Sequence, residues 1–222
     1  MSWNVVSTVV ARPNPGGAMI SMGRMGRAAA IMREHGLTVN IGRVLYGRDF
    51  GSLVMYAGSE NYEKHLTNMG ATMADPAFMA LQGEIASMPA SEFTDGMRGW
   101  RNIGAADPEK YPFTNHRFYM VPAKNVQKAL DMLPSVQAMA KPYNLGVNMS
   151  VSAFGAPLMM TVNYQAASLS DAGKAMDGMS ASPDWQQSVA DAGALGALVG
   201  ASMVGPAMYK SLSTRCLNRG SA

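Results

Sequence analysis

The sequence predicts an α+β protein made of two tandem β-α-β-β-α units whose sheets pack face to face. Three observations carry that expectation: landmark residues recur at a nearly constant spacing, strand-type and helix-type patterns follow the same order twice, and proline-opened helices stand at matching places. Asn40, Gly47, Tyr56 and Gly70 recur as Asn148, Gly155, Tyr164 and Gly178, each 108 residues on (148−40, 155−47, 164−56, 178−70). Asp75-Pro76 then faces Ser182-Pro183 at 107 (183−76), so the second copy lacks one residue. The expected organisation is a first unit over 1–104, a linker over 105–112, a second unit over 113–210 and a polar basic tail over 211–222.

The first unit opens with the β-branched run Trp3–Arg12, a strand ended by the breaker Pro13-Asn-Pro-Gly-Gly17. Ala18 to Glu34 spaces Met19, Met22, Met25, Ala29 and Met32 at helical intervals, and Gly36 stands where a helix C′ residue belongs. Two strands, Leu37–Tyr46 and Ser52–Ala57, flank a glycine-bounded hairpin connection. Ser59 is placed to cap a helix from about Glu60 to Met73. Asp75 caps the next, with Pro76 at the first helical position, where its missing N–H costs nothing. Phe78, like Trp185 after Pro183, falls in a first helical turn where a large ring pins the helix onto the sheet. The second unit reads as strand Asn115–Val121, helix Lys124–Ala140, strands Gly146–Phe154 and Leu158–Gln165, and helices from Ser170 and Pro183. A crossover helix, a hairpin and a returning helix cover one sheet face, and a second such sheet covers the other.

At 48% apolar and 15% charged, the 222 residues can bury a sizeable core and are too apolar for a disordered chain. The net charge of +3 comes from scattered Lys and Arg, with one modest cluster at Lys210, Arg215 and Arg219; no basic stripe interleaved with aromatics argues for nucleic acid. The single cysteine, Cys216, rules out an internal disulfide, reads as a bystander in the tail and fits a reduced compartment. No basic region followed by an apolar run opens the chain, so a cytoplasmic location is expected. The uncharged stretch Ala192–Tyr209 barely reaches spanning length, and its glycines and Pro206 dilute it. It reads as a buried or interface helix whose small residues permit close approach, not as a membrane span. The 21 methionines read as core filler and adaptable surface, since a methionine copper site would need tight clusters with His or Cys.

The β-α-β-β-α order, the glycine hairpin and the helix opening Asp75-Pro-Ala-Phe-Met-Ala-Leu81 resemble the dimeric α+β barrel superfamily. That superfamily is ferredoxin-like and includes antibiotic-biosynthesis-type monooxygenases and tandem, chlorite dismutase-like haem proteins. The resemblance covers most of both units and implies two ferredoxin-like repeats forming one α+β barrel. It also implies a cavity between the facing sheets, which in various members holds an aromatic substrate, a polyketide or haem. The residues argue for no cofactor: His35 adjoins Gly36, His65 lies among Glu63, Lys64 and Asn68, and His116 begins a strand. No His or Cys pair has metal-ligand spacing, and no glycine-rich phosphate loop is present.

Strand alternation nominates cavity residues. Thr38, Asn40 and Tyr46 share the polar parity of one strand, and Asn148, Ser150 and Ser152 that of its counterpart, while the apolar parity faces the helices. Arg117 and Tyr119 share a parity on Asn115–Val121, with Arg117 suited to an anionic group. No carboxylate falls on the presumed inner face, so a general base would be Tyr46, Tyr119 or a bound water. Two functions follow. One is a barrel enzyme, a cofactor-independent oxygenase or isomerase in which Asn and Tyr groups polarise a small organic ligand. The other is a non-catalytic subunit whose Met- and Gly-rich segments, Met19–Met32 and Ala192–Tyr209, dock a protein partner or further copies of the chain.

Overall fold

Unpaired backbone N–H and C=O groups call for a neighbour on both edges of a strand, and in this chain the last strand of each half supplies it. The computed structural model describes residues 3–155 and 158–207; Lys210, Arg215, Cys216 and Arg219 lie outside the described residues. In chain order the elements are β1 (Val5–Pro13), α1 (Ala18–Glu34), β2 (Thr38–Gly47), β3 (Leu53–Ser59), α2 (Tyr62–Ala74), α3 (Pro76–Ser87) and β4 (Ser91–Ile103). There follow β5 (Phe113–Met120), α4 (Val126–Asp131), α5 (Leu133–Ala140), β6 (Gly146–Phe154), β7 (Met159–Ala166), α6 (Leu169–Ser180), α7 (Pro183–Leu195) and β8 (Ala197–Pro206).

The strands close into one antiparallel barrel in the order β1-β3-β2-β8-β5-β7-β6-β4. Residues 5–103 contribute β4-β1-β3-β2 and residues 113–206 contribute β8-β5-β7-β6, joined at two seams, β2 to β8 and β4 to β6. The facing sheets expected to form an α+β barrel are joined by those seams: β4 and β8, which the sequence pattern missed, convert two open sheets into one wall. From Ala197 to Pro206, β8 also overturns the helix expected over Ala192–Tyr209, of which Met208 and Tyr209 lie outside the described residues. α7 stops at Leu195, and the following run is extended between β2 and β5. A short uncharged apolar run suits either conformation, and only the distant strands it pairs with decide. Its small residues admit neighbouring strands closely: a Cβ on Gly205 would stand 2.7 Å from Leu45 Cδ1 and 2.9 Å from the Phe113 ring.

Helix starts follow local chemistry. Asn61, not Ser59, caps α2 by accepting from the Lys64 N–H; Ser59 ends β3, its hydroxyl 3.3 Å from His65 Nδ1. Asp75 caps α3 by accepting from the N–H groups of Ala77 and Phe78, and Ser182 caps α7. The single helix expected over Lys124–Ala140 is broken between α4 and α5, where Pro134 lacks the N–H a continuous helix would use. Phe78 packs with Met25, Met32, Leu53 and Met55, and Trp185 with Leu133, Val147, Met149 and Met179, giving one core on each side of the barrel. Burying a side chain of that size contributes about 1.5–3 kcal/mol. The methionine stripe is only partly core: Met25, Met32 and Met69 are buried, while Met19 and Met73 are exposed.

Pairing register corrects one correspondence. Thr8 faces Tyr56 in β3, and His116, 108 residues after Thr8 (116−8), faces Asn163 in β7. Asn40 likewise faces Tyr56 while Asn148 faces Asn163. The position matching Tyr56 is therefore Asn163, not Tyr164. The hairpin linking β6 and β7 is one residue shorter than that linking β2 and β3, since Arg43 pairs with Leu53 and Val151 with Met160 (53−43 against 160−151). Gly47 and Gly155 begin these turns at φ of +85° and +88°, a left-handed backbone that side chains disfavour. One missing residue sends every later side chain of the strand to the opposite face.

The same slip separates Gly70 from Gly178. A Cβ on Gly70 meets nothing within 4 Å, whereas one on Gly178 would stand 2.4 Å from the Tyr143 ring. Gly70→Ala is expected to stabilise the protein by about 0.5–1 kcal/mol through helix propensity. Gly178→Ala is expected to lose that gain and lower stability, because overpacking costs about 1–3 kcal/mol. Urea unfolding midpoints of the two variants check the opposite signs.

Candidate functional site

A closed wall sends alternate side chains inward, and here they surround open space. Together with the groove it joins along α1 and the 105–112 connection, the cavity measures about 2070 Å³. Of the residues expected there, Thr38, Asn40, Asn148 and Ser150 line it. Four others are corrected. The β2–β8 register shifts between Val44 and Tyr46, and Tyr46 lies beyond that shift, 65% exposed. Ser152 lies near the end of β6, where its hydroxyl donates to the Phe154 carbonyl. Tyr119 points outward and is buried with Val121 and Met160. Arg117 also points outward, its guanidinium 5.1 Å from the Trp185 ring centroid and 5.7 Å from that of Tyr164, beside a separate cavity of about 240 Å³ under α6.

The interior chemistry is carried by residues the sequence reading passed over. Thr114, His116 and Phe118 form the inward parity of β5, joined by Asn163 from β7, Tyr56 from β3 and Trp100 and Asn102 from β4. The 108-residue spacing contained the signal: it lays His116 on Thr8, and both face inward. Tyr56 Oη lies 3.0 Å from His116 Nε2, and His116 Nδ1 lies 2.8 Å from Asn163 Oδ1. Asn163 Nδ2 donates to Ser150 Oγ at 2.9 Å, Ser150 Oγ donates to Asn102 Oδ1 at 2.6 Å, and Asn102 Nδ2 donates to the Trp3 carbonyl at 2.6 Å.

That last link orients all the others. A backbone carbonyl only accepts, so Asn102 must present its amide to Trp3 and its oxygen to Ser150. Ser150 then accepts from Asn163, whose oxygen accepts Nδ1–H of His116. The imidazole is thereby held with a bare Nε2 that accepts the Tyr56 hydroxyl. Burial lowers the His116 pKa, with the Asn163 hydrogen bond opposing, and burial raises that of Tyr56, so both groups rest neutral. The rings of Tyr56, His116 and Phe118 stack in a row at centroid spacings of 6.0 and 6.1 Å, Tyr56 reaching from β3 to the pair on β5. Trp100 completes its own needs by donating to Thr8 Oγ1.

A histidine-ligated haem in the cavity would need a free imidazole nitrogen there, and the histidines do not fit it. His116 uses both ring nitrogens, His65 is buried between Ser7 and Ser59, and His35 Nε2 bonds Asp75 at 2.9 Å. Among the described residues no three His, Cys, Asp or Glu converge as a metal site. No described helix is long and apolar enough to cross a membrane.

Fold and cavity together define a class. The chain is an α+β barrel of the kind found in monooxygenase-like and chlorite dismutase-like structures. An anthrone oxidase-like protein superposes with a TM-score of 0.62 over 90% of both chains at 13% identity. A monooxygenase candidate from Fusobacterium nucleatum reaches 0.65 over 92% of this chain and 95% of its own at 6% identity. A variant of chlorite dismutase from Candidatus Nitrospira defluvii reaches 0.53 over 93% of each chain at 10% identity. At such identities the likeness carries fold alone. No family model matches the chain, and no curated protein matches its sequence.

The buried histidines set a pH dependence. Burial lowers both His116 and His65 below the ordinary 6.5, so the unfolded chain binds more protons than the folded one in mild acid. The stability held by the neutral rings is complete above the unfolded value of 6.5 and is lost as pH falls from there through the folded values. The expected melting temperature is steady above about pH 7 and declines below 6.5, with a shallower decline in His116→Gln. Calorimetry across that range checks it.

Proposed function

We propose that the barrel binds a small hydroxylated aromatic molecule and acts on it without a cofactor, as an oxygenase or isomerase that begins by removing a proton. The observation that carries this reading is the directed chain from the Trp3 carbonyl to Tyr56, which ends in an imidazole lone pair inside an open cavity. Tyr56 is the group that meets the ligand. As a ligand hydroxyl or acidic C–H gives its proton to Tyr56 Oη, Tyr56 passes its own to His116 Nε2, and Asn163 steadies the imidazolium through Nδ1. The anion left behind is delocalised over the ligand's rings and electron-rich enough to meet dioxygen directly or to return the proton at another carbon. The aromatic wall of Tyr56, His116 and Phe118 suits a planar ligand.

The matching strand order of residues 5–103 and 113–206 supports reading the chain as a tandem pair fused through 105–112. The fusion lets the two halves differ: Thr8 and Tyr56 in one are answered by His116 and Asn163 in the other. A second reading, a non-catalytic subunit that docks partners or its own copies, draws on exposed Met19, Ile20, Leu66 and Met73 on α1 and α2.

The test supplies an anthrone and other polycyclic phenols, following oxygen uptake and ring-proton exchange with deuterium. Wild-type protein is expected to accelerate one of the two. Tyr56→Phe and His116→Asn are each expected to lose at least about 10²-fold. The rate should hold steady above the ordinary histidine value and fall only in acid, because the active imidazole is the neutral one. Absence of binding, uptake and exchange with every probe would remove the enzyme reading and leave the docking one.

A further inference from the structure

The cavity wall formed by β6 and β7 carries three carboxamides, and they are not alike. Asn163 is fully engaged, its oxygen with His116 and its amide with Ser150. Asn148 lies directly across from Asn163, and Gln165 two residues along β7, diagonal to Asn148. Such diagonal neighbours share a face at about 7–8 Å. Asn148 and Gln165 are 2% and 6% exposed and line the cavity, yet Asn148 Oδ1 and Gln165 Oε1 have no hydrogen-bond partner among the described residues. Buried amide oxygens are nearly always bonded, because losing water without a replacement is costly. Turning either amide over would exchange a stranded carbonyl for a stranded N–H, so the demand persists in both orientations.

The pair sits at the linker end of the barrel. Gly146 separates Gln165 from the linker residue Tyr111: a Cβ there would stand 3.1 Å from Gln165 Oε1 and 3.2 Å from the Tyr111 ring. Each carboxamide offers a carbonyl as well as an amide, so a carboxylate or phosphate, which brings only acceptors, would leave the carbonyls stranded. A neutral phenolic hydroxyl fits, since it donates to a carbonyl and can accept from an adjacent amide.

We propose that Asn148 and Gln165 form a specificity subsite for a hydroxyl group at the far end of a polyhydroxylated, planar aromatic ligand, whose reacting group lies at Tyr56. The proposal rests on reading the barrel as an aromatic-binding cavity. It divides the wall into a reacting end, where every polar group is satisfied in advance, and a recognition end, where the ligand completes the hydrogen bonding.

Two measurements test it. Calorimetric titration compares anthraflavic acid, a planar dihydroxyanthraquinone, with the monohydroxyanthraquinone lacking one of its hydroxyls. Wild-type protein should favour the dihydroxy compound by about tenfold, and Asn148→Leu and Gln165→Met should each reduce that preference to about threefold or less. Melting of the ligand-free variants should show no loss, because each exchange removes a stranded polar group and keeps its volume. Binding of both compounds with equal affinity to wild type, or an undiminished preference in the variants, would overturn the subsite alone. A fall of several degrees in the ligand-free variants would also overturn it, by showing that the amides hold the fold. Failure of either compound to bind wild-type protein would overturn the aromatic-cavity reading and the subsite with it.

Discussion

Closure of the sheet is the constraint on which everything else in this protein rests. A four-stranded run such as β4-β1-β3-β2 leaves two strands with an edge of unpaired N–H and C=O groups, an invitation to aggregation that natural sheets suppress. Here each run ends on the other, β2 against β8 and β4 against β6, and no edge remains. The seams are tight because small residues stand in them. A Cβ on Gly42 would fall 2.5 Å from Val204 Cγ1, and one on Gly99 would fall 2.3 Å from the Phe154 ring. Glycine at these places weakens a strand taken alone and permits the approach that completes the barrel.

Closure also decides what the interior must be. Eight strands enclose more space than these side chains fill, so the inner face is neither a packed core nor open surface. Polar groups survive there because they bond one another in a fixed direction, from Tyr56 through His116, Asn163, Ser150 and Asn102 to a backbone carbonyl. Such a network holds one tautomer and one orientation of each amide, which a core of Val and Leu would have no means to specify. The larger apolar clusters lie on the outer face, where Phe78 and Trp185 hold helices against the wall, while a smaller one of Val44, Val54 and Val204 packs inside beside Tyr56. The division separates stability from chemistry: the outer layer carries the burial energy, and the inner one is left free to present functional groups.

The structural likenesses show how loosely the shape constrains sequence. Barrels at 6–13% identity keep the path of the chain, since an outer core needs only apolar side chains of suitable volume. The inner face is under no such uniform demand, and two barrels of one shape can present unrelated groups to their cavities. Function in this fold is therefore a property of individual inward positions, and in this chain those positions include one His, Tyr56 and a set of carboxamides.

Local sequence settled the pieces governed by local physics. The Asp75 and Ser182 caps, the glycine turns at 47 and 155, the α1 span and the polar parity of Thr38, Asn40, Asn148 and Ser150 all follow from chemistry within a few residues, and the chain states them directly. What tertiary structure decided was whatever depended on partners far away. Ala197–Pro206 became a strand because two distant strands needed closing. Tyr46 left the interior because a register shift at the seam turned it out, and Arg117 and Tyr119 faced the helices because the other parity of β5 belonged to the cavity. His116 shows the difference most plainly. Its place in a β-strand is written in its neighbours, but its tautomer and its tyrosine partner exist only once Tyr56 and Asn163, 60 residues before it and 47 after it, are brought to it by closure of the barrel.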